Sequence, residues 1–159
     1  MADTCAADAG WSDAYLVGHA AIDGMHREFL ACIAATLNAP DTAFERAFDE
    51  LVQHLAAHFS MEEALMVRYQ FPPAQCHIDE HAAVMRSVDA ICPEVAAGQF
   101  TSGRDLLRAL LDWFPGHSDY LDSALSIWIS KQDAGGTPLV FRRDMYQNRS
   151  EAGLSIEQR

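Results

Sequence analysis

Apolar residues recur every three or four positions along most of the chain, which is the spacing of one face of an α-helix. Four such stretches run from about Ile22 to Leu37, Thr42 to Tyr69, Ala74 to Ala97 and Ser102 to Ser130. Breaks containing proline or glycine separate them, and no alternating pattern typical of a strand is longer than a few residues. The pattern predicts an all-α fold, specifically an up-down-up-down four-helix bundle.

The two ends of the chain lack this periodicity. We expect residues 1–20 to be an N-terminal lead-in loop, residues 21–130 to form the bundle, and residues 131–159 to be a polar C-terminal tail. Within the tail, a short packed segment around Leu139 to Phe141 is the alternative to a fully dispensable appendage.

Two local features qualify the helix pattern. Asp41 stands where it can cap the second helix. Pro115 lies inside the fourth helix, where it removes the N–H that would bond to Leu111, so a kink is expected there.

Composition narrows the class of protein. The 159 residues are enough for one domain with a core, and half of them are apolar. No apolar run approaches the ~20 residues needed to span a bilayer, and residues 1–10 carry no secretion signal. Four cysteines without a Cys-x-x-Cys pair favour free, buried thiols. These features predict a cytoplasmic protein.

The chain carries 11 basic and 23 acidic residues, a formal net charge of −12. Such a charge repels phosphate backbones and anionic lipid surfaces, so neither nucleic acid nor a membrane is an expected partner.

Histidines and carboxylates interrupt the apolar faces of all four predicted helices, at His26, His58, Glu62, His77, His81, His117 and Asp122. Residues four apart share one helix face, which suits two ligands of one metal. His117 and Asp122 are five apart, so Asp122 could reach past one metal toward a second. Burying these groups unpaired would cost several kcal/mol each. Because the set is too large for one ion, we predict two metals bridged by the carboxylates.

Other site types fit the sequence less well. No glutamate is followed three residues later by histidine, as ferritin-like di-iron sites require, and zinc-protease and cysteine-rich zinc patterns are absent. Cys76 and His77 are adjacent, so on a helix they point about 100° apart and do not suit a nucleophile–base pair. His54 lies one turn from His58, and Glu63 follows Glu62. Either could support a ligand by a hydrogen bond, although a role outside the site is favoured for His54 and a surface charge on the helix is the default for Glu63.

The stretch from Trp11 to Trp128 resembles the hemerythrin family, in particular its single-domain bacterial members, the bacteriohemerythrins. The matching motifs are Val17-Gly18 with Ile22-Asp23-x-x-His26, His58-Phe59-x-x-Glu62-Glu63-x-x-Met66, His77-x-x-x-His81, and Trp113-x-x-x-His117 with Asp122.

The resemblance implies two non-haem irons in a four-helix bundle. One iron would be held by His77, His81 and His117 and be coordinatively full, while the other would be held by His26 and His58 and keep one position open. The two carboxylates and a solvent-derived oxo or hydroxo group would bridge the irons. O2 would bind end-on at the open position as a hydroperoxide, which serves oxygen carriage, delivery or sensing.

This chemistry needs an apolar pocket that keeps water away from bound O2. Residues on the same helical faces are the candidates, namely Phe29, Leu30, Phe59, Trp113 and Phe114. Three features depart from the family pattern: Pro115, Ser118 directly after the fourth-helix histidine, and His54 where bacterial members often carry tyrosine.

Two other functions remain open. If these departures admit water and protons, the same site could reduce nitric oxide or peroxide as an enzyme. Alternatively, the two iron states could present different surfaces in iron storage or redox signalling, with the tail as the readout. A protein partner or electron donor is not identifiable from the sequence.

Overall fold

The four-helix bundle is confirmed by a computed structural model, which describes residues 11–135. Its helices are α1 Ala20–Asn38, α2 Asp41–Arg68, α3 Ala74–Ala96, α4 Phe100–His117 and α5 Ser123–Asp133. Helix α5 continues α4 through a π-helical turn at Ser118–Asp122, so these three elements together form the fourth rod of the bundle. Within the described residues there is no strand.

The helix ends differ from expectation in two places. Asp41 does not cap α2: Pro40 is the capping residue, and the Asp41 carboxylate instead pairs with Arg104 at 3.1 Å. The last helix ends at Asp133, three residues beyond the predicted boundary. Leu139 to Phe141 lie outside the described residues.

Pro115 does not end the fourth helix, since α4 continues through it to His117. The backbone then widens, so that the N–H of Ser123 donates to the carbonyl of Ser118, five residues earlier. A π-turn of this kind inside an α-helix often occurs at functional sites. The irregular part of this rod is therefore the π-turn at Ser118–Asp122, which the sequence did not predict.

Two apolar clusters fill the bundle, one on each side of a polar layer. The larger cluster includes Phe29, Leu55, Phe59, Val84 and Phe114, and the smaller one comprises Ile22, Met66, Phe71, Leu125 and Ile129. On α1, α2 and the fourth rod, the predicted metal-binding residues lie in sequence between a residue of one cluster and a residue of the other. On α3 they lie between Ala74, which packs against the smaller cluster, and Val84 of the larger one. The polar layer is thus closed from both ends by apolar packing.

The lead-in is attached to the bundle at its junction with α1. The Asp23 carboxylate accepts hydrogen bonds from the backbone N–H of Val17 at 2.8 Å and of Gly18 at 3.2 Å. Gly18 has a φ of +86°, a left-handed conformation that glycine adopts without strain. The Ser126 hydroxyl donates to the Val17 carbonyl at 2.7 Å, which ties the lead-in to α5 as well.

The structure bears on two expectations drawn from composition, which concern membrane-spanning helices and the cysteines. No helix among residues 11–135 combines the length and apolarity needed to cross a bilayer. The described cysteines are free, but the expectation of burial was wrong: Cys76 is exposed, and Cys32 and Cys92 are only half-buried. Cys76 is exposed because it lies on the outer face of α3, whose inward face carries His77 and His81.

Candidate metal centre

The seven residues singled out in the sequence meet in one buried layer between the two apolar clusters. None is more than 4% exposed, although all are polar or charged. They come from all four rods of the bundle: His26 from α1, His58 and Glu62 from α2, His77 and His81 from α3, His117 from α4, and Asp122 from the π-turn. We call this set the buried cluster.

The histidines fall into two groups, and Glu62 lies between them. Glu62 Oε1 is 2.8 Å from His58 Nε2 and 3.7 Å from His26 Nε2, and these two imidazoles form the two-histidine group. The other oxygen, Glu62 Oε2, is 3.4 Å from His77 Nε2 and 3.2 Å from His81 Nε2. A single carboxylate therefore presents one oxygen to each group.

Asp122 divides its oxygens in the same way. Its Oδ1 is 3.0 Å from His77 Nε2 and 3.2 Å from His117 Nε2, so these two imidazoles and His81 form the three-histidine group. Its Oδ2 is 3.0 Å from His26 Nε2. Five residues along an α-helix would turn Asp122 about 140° away from His117, and the π-turn brings both side chains to the same layer.

Hydrogen bonds within the cluster do not satisfy its polar atoms. Both oxygens of Asp122, Glu62 Oε2 and His26 Nε2 are buried without a hydrogen-bond partner, since their close contacts lack hydrogen-bond directions. His77 Nε2 and His81 Nε2 both lie within 3.3 Å of His117 Nε2, where three ring nitrogens cannot all pair with one another. Converging nitrogen and carboxylate lone pairs in a dry layer fit metal cations, which coordinate all of them at once. The donor set thus fits a pair of metals.

In the three-histidine group, carboxylates hold the outer nitrogens of His81 and His117, whereas His77 Nδ1 is buried without a hydrogen-bond partner among the described residues. His81 Nδ1 lies 3.3 Å from Glu63 Oε1. His117 Nδ1 lies 3.0 Å from Glu80 Oε2, a residue that the sequence analysis did not identify. Both carboxylates are partly exposed. A carboxylate that accepts from Nδ1 orients the ring and leaves Nε2 free for a metal.

The two-histidine group has no such support within the described residues. His26 Nδ1 and His58 Nδ1 are buried without a hydrogen-bond partner. His54, considered as a supporting residue, instead contacts the Met25 carbonyl through Nε2 at 3.2 Å. Burial lowers the pKa of His54, and the ring is therefore neutral at physiological pH.

The charge state of the metal-free cluster follows from its close pairs. Burial would lower the pKa of His26 and of His77, but the carboxylates of Asp122 and Glu62 raise each to about 9. Burial would raise the pKa of Glu62 and Asp122, yet the surrounding imidazoles hold both well below their usual range. At neutral pH both carboxylates are thus ionised, and a metal must displace protons from His26 and His77 to bind.

Four of the five pocket candidates pack against histidines of the buried cluster. Phe114 packs edge-on against His26 with ring centroids 4.9 Å apart, and Phe29 lies 6.2 Å from the His58 ring and 5.3 Å from Phe114. These two phenylalanines therefore border the two-histidine group, and both are buried.

Phe59 borders both groups, since it stacks on His81 at 3.9 Å and its ring lies 5.6 Å from that of His58. Trp113 packs on His117 at 4.3 Å and borders the three-histidine group. Leu30 is buried in the larger apolar cluster. Beside the three-histidine group, a surface cavity of about 400 Å³ reaches His117, with a lining of Glu80, Trp113, Gly116, His117, Tyr120 and Leu121.

Comparisons with known proteins agree with this arrangement. Residues 17–125 match the family model described as hemerythrin HHE cation binding domain. The chain is 35% identical over 126 residues to a bacteriohemerythrin of Ralstonia nicotianae, covering 77% of this chain and 89% of the relative. It is 26% identical over 140 residues to a bacteriohemerythrin of Stenotrophomonas maltophilia, covering 79% and 90% respectively. No solved structure matches the chain significantly.

Proposed function

Because the chain belongs to the hemerythrin family, we propose that its buried cluster holds two iron ions and that O2 binds reversibly at one of them. The observation that carries this proposal is the way in which each carboxylate divides its two oxygens between the two histidine groups. Glu62 and Asp122 each direct one oxygen toward the two-histidine group and the other toward the three-histidine group. Two bridging carboxylates offset the repulsion between two cations held close together.

The two iron positions differ in their number of protein ligands. The three-histidine iron would have five protein donor atoms, because its three imidazoles are joined by one oxygen from each carboxylate. The two-histidine iron would have only four, from His26, His58 and the same two carboxylates. If the irons share one further solvent-derived bridge, the two-histidine iron alone keeps a position for O2.

The surroundings of that position suit a neutral diatomic ligand. Phe29 and Phe114 border the two-histidine group, and apolar side chains close the layer at both ends. Exclusion of water favours reversible binding, since water and protons promote loss of reduced oxygen from iron. The physiological role that we propose is oxygen carriage, delivery or sensing in the cytoplasm.

Reduction of nitric oxide or peroxide is the second candidate function. It is favoured by one specific observation: a surface cavity of about 400 Å³ reaches His117 and would give water and protons access to the cluster. The cavity is lined by His117 and Trp113 of the three-histidine side and by no residue of the two-histidine group, and we therefore rank turnover below reversible binding.

Anaerobic reduction followed by exposure to O2 tests the proposal. The purified protein should contain two irons per chain and form a long-lived coloured adduct that reverses on removal of O2. Rapid bleaching on exposure to O2 would indicate turnover instead. Metal analysis that consistently gives one ion per chain, or zinc after iron-replete expression, would contradict the proposal.

Two variants test whether the metal pair depends on a residue of the cluster and not on a neighbouring histidine. Glu62→Ala removes one bridging carboxylate and should lose the paired site. His54→Ala changes a histidine that contacts the Met25 carbonyl and no cluster nitrogen, so this matched control should keep both irons and change only the lifetime of the adduct. A coupled di-iron spectrum in Glu62→Ala would refute the bridging role of Glu62.

A further inference from the structure

The Ser118 hydroxyl is buried without a hydrogen-bond partner in the protein. Ser118 is only 1% exposed, and its Oγ has no partner among the described residues. Most buried hydroxyls have a partner, because leaving one unpaired costs about 1–3 kcal/mol. Ser126, the other buried serine of this rod, follows the rule and donates to the Val17 carbonyl. The unpaired state of Ser118 therefore requires an explanation.

The position of Ser118 on its rod places it beside the two-histidine group. Phe114 and Ser118 are four residues apart and so lie on one side of the rod, and Asp122 is the last residue of the π-turn that begins at Ser118. The N–H of Ser118 still donates to the Phe114 carbonyl, and this turn is therefore α-helical. Phe114 packs on His26 at 4.9 Å, and Asp122 Oδ2 is 3.0 Å from His26 Nε2. Ser118 thus lies between two residues that both contact His26.

We propose that the Ser118 hydroxyl donates a hydrogen bond to the small ligand bound at the two-histidine metal. The inference rests on the proposed function, in which this metal has the fewer protein ligands. A hydrogen-bond donor stabilises a ligand that carries negative charge on its bound atoms, and the phenylalanines that border His26 and His58 offer none. Since no protein acceptor engages Ser118, its donor is already available when the ligand arrives, without a competing bond to break.

Azide is a suitable probe, because it is a small anion that binds ferric iron and accepts hydrogen bonds. Ser118→Ala removes the hydroxyl and keeps a good helix former in a helical position. We expect azide to bind the oxidised, iron-loaded full chain about tenfold more weakly in this variant, with two irons still present per chain. Ser126→Ala is the matched control: it also removes a buried serine hydroxyl from this rod, but one already bonded to Val17, and it should leave azide affinity unchanged.

A spectroscopic readout on the wild-type protein provides a second test. The infrared stretching band of bound azide should shift between H2O and D2O if an exchangeable hydroxyl proton is bonded to it. That shift should disappear in Ser118→Ala and persist in Ser126→Ala. No shift in the wild-type protein would overturn the proposal even if the variant failed to fold.

The melting temperature provides a third test, because removing the Ser118 hydroxyl should not lower it, in contrast to the loss of most buried polar groups. Because Ser118 has no protein partner, its removal should leave the melting temperature of the ligand-free, iron-loaded protein unchanged or raise it, whereas Ser126→Ala should lower it. A drop in Ser118→Ala equal to that in Ser126→Ala would mean that the hydroxyl is bonded within the protein, which overturns the proposal.

Failure of the proposed function can be distinguished from failure of the role proposed for Ser118. A wild-type chain that lacks two irons or binds no azide contradicts the proposed function. A wild-type chain that holds two irons and binds azide as tightly as Ser118→Ala leaves the proposed function intact and overturns only the role of Ser118.

Discussion

At the scale of single residues, the two histidine groups differ in what holds their outer ring nitrogens. Glu63 and Glu80 accept from His81 and His117, two of the three histidines of the three-histidine group, while the Nδ1 atoms of His77, His26 and His58 are buried without a partner. Carboxylates of this kind orient a metal-bound imidazole and increase its basicity. The three-histidine position should therefore hold its metal more tightly than the two-histidine position.

Glu80→Ala tests this difference. We expect the more tightly held metal to be released at a chelator concentration about 10- to 100-fold lower than in the wild-type protein, because the His117 ring loses its orienting partner. Metal retained per chain across a chelator titration measures the change. Asp79→Ala is the control, since Asp79 is adjacent and acidic but contacts Gln75 and no histidine. Equal retention in both variants would refute a supporting role for Glu80.

At the scale of elements, the fourth rod carries two glycines in helical conformation with different surroundings. A Cβ added at Gly103 would lie 2.8 Å from Phe44 Cε1 and 2.9 Å from Val95 Cγ2, so this glycine allows close packing of α4 against α2 and α3. A Cβ added at Gly116 would meet nothing within 4 Å. The same substitution at the two positions should therefore have opposite effects.

Gly103→Ala should lower the free energy of unfolding by about 1–3 kcal/mol, because Phe44 and Val95 must move to accept the new methyl group. Gly116→Ala should raise it by about 0.5–1 kcal/mol, because alanine loses less conformational freedom in a helix than glycine does. Denaturant unfolding of the two iron-loaded variants measures both. A stabilising Gly103→Ala would show that α4 has more room against α2 than the structure indicates.

At the scale of the whole molecule, the cluster makes stability depend on pH and on metal. The carboxylates raise the pKa of His26 and His77 from 6.5 to about 9 in the metal-free protein. A raised histidine pKa stabilises the fold fully below about pH 6.5, and this stabilisation is lost as the pH rises through about 9. Bound metal requires the same rings to be neutral, so it reverses the dependence.

We therefore expect the free energy of unfolding of the metal-free protein to fall by a few kcal/mol between pH 7 and pH 10. The iron-loaded protein should instead gain stability between pH 5 and pH 7, as protons compete less with the metal. Denaturant unfolding across this pH range, with and without a chelator, measures both trends. Parallel trends in the two forms would exclude His26 and His77 as metal ligands.

The extent of the domain gives a second prediction at this scale. All seven residues of the buried cluster precede Ser123, and the helical spacing of apolar residues ends near Ser130. A chain that ends at Gly135 should therefore keep two irons and its melting temperature. Iron content, melting temperature and autoxidation rate of the shortened and full chains decide the point. A large drop in melting temperature would mean that Leu139 to Phe141 belong to the fold.

The sequence by itself determined the bundle and the membership of the cluster. The apolar spacing that predicts a helix is local, and His77 and His81 share a face of α3 simply because they are four residues apart. Imidazoles and carboxylates on all four apolar faces could only meet in the core, because each face is buried against the others. For this reason the seven residues were identifiable before the structure.

Only the tertiary structure decided how those residues are arranged. Glu80 and His117 are 37 residues apart in the chain, and their contact depends on the packing of α3 against α4. The division of the Glu62 oxygens between the two groups and the unpaired hydroxyl of Ser118 likewise depend on which side chains face each other across the core. Sequence spacing defines the face of a helix, whereas contacts between faces are fixed by packing, which joins residues far apart in the chain.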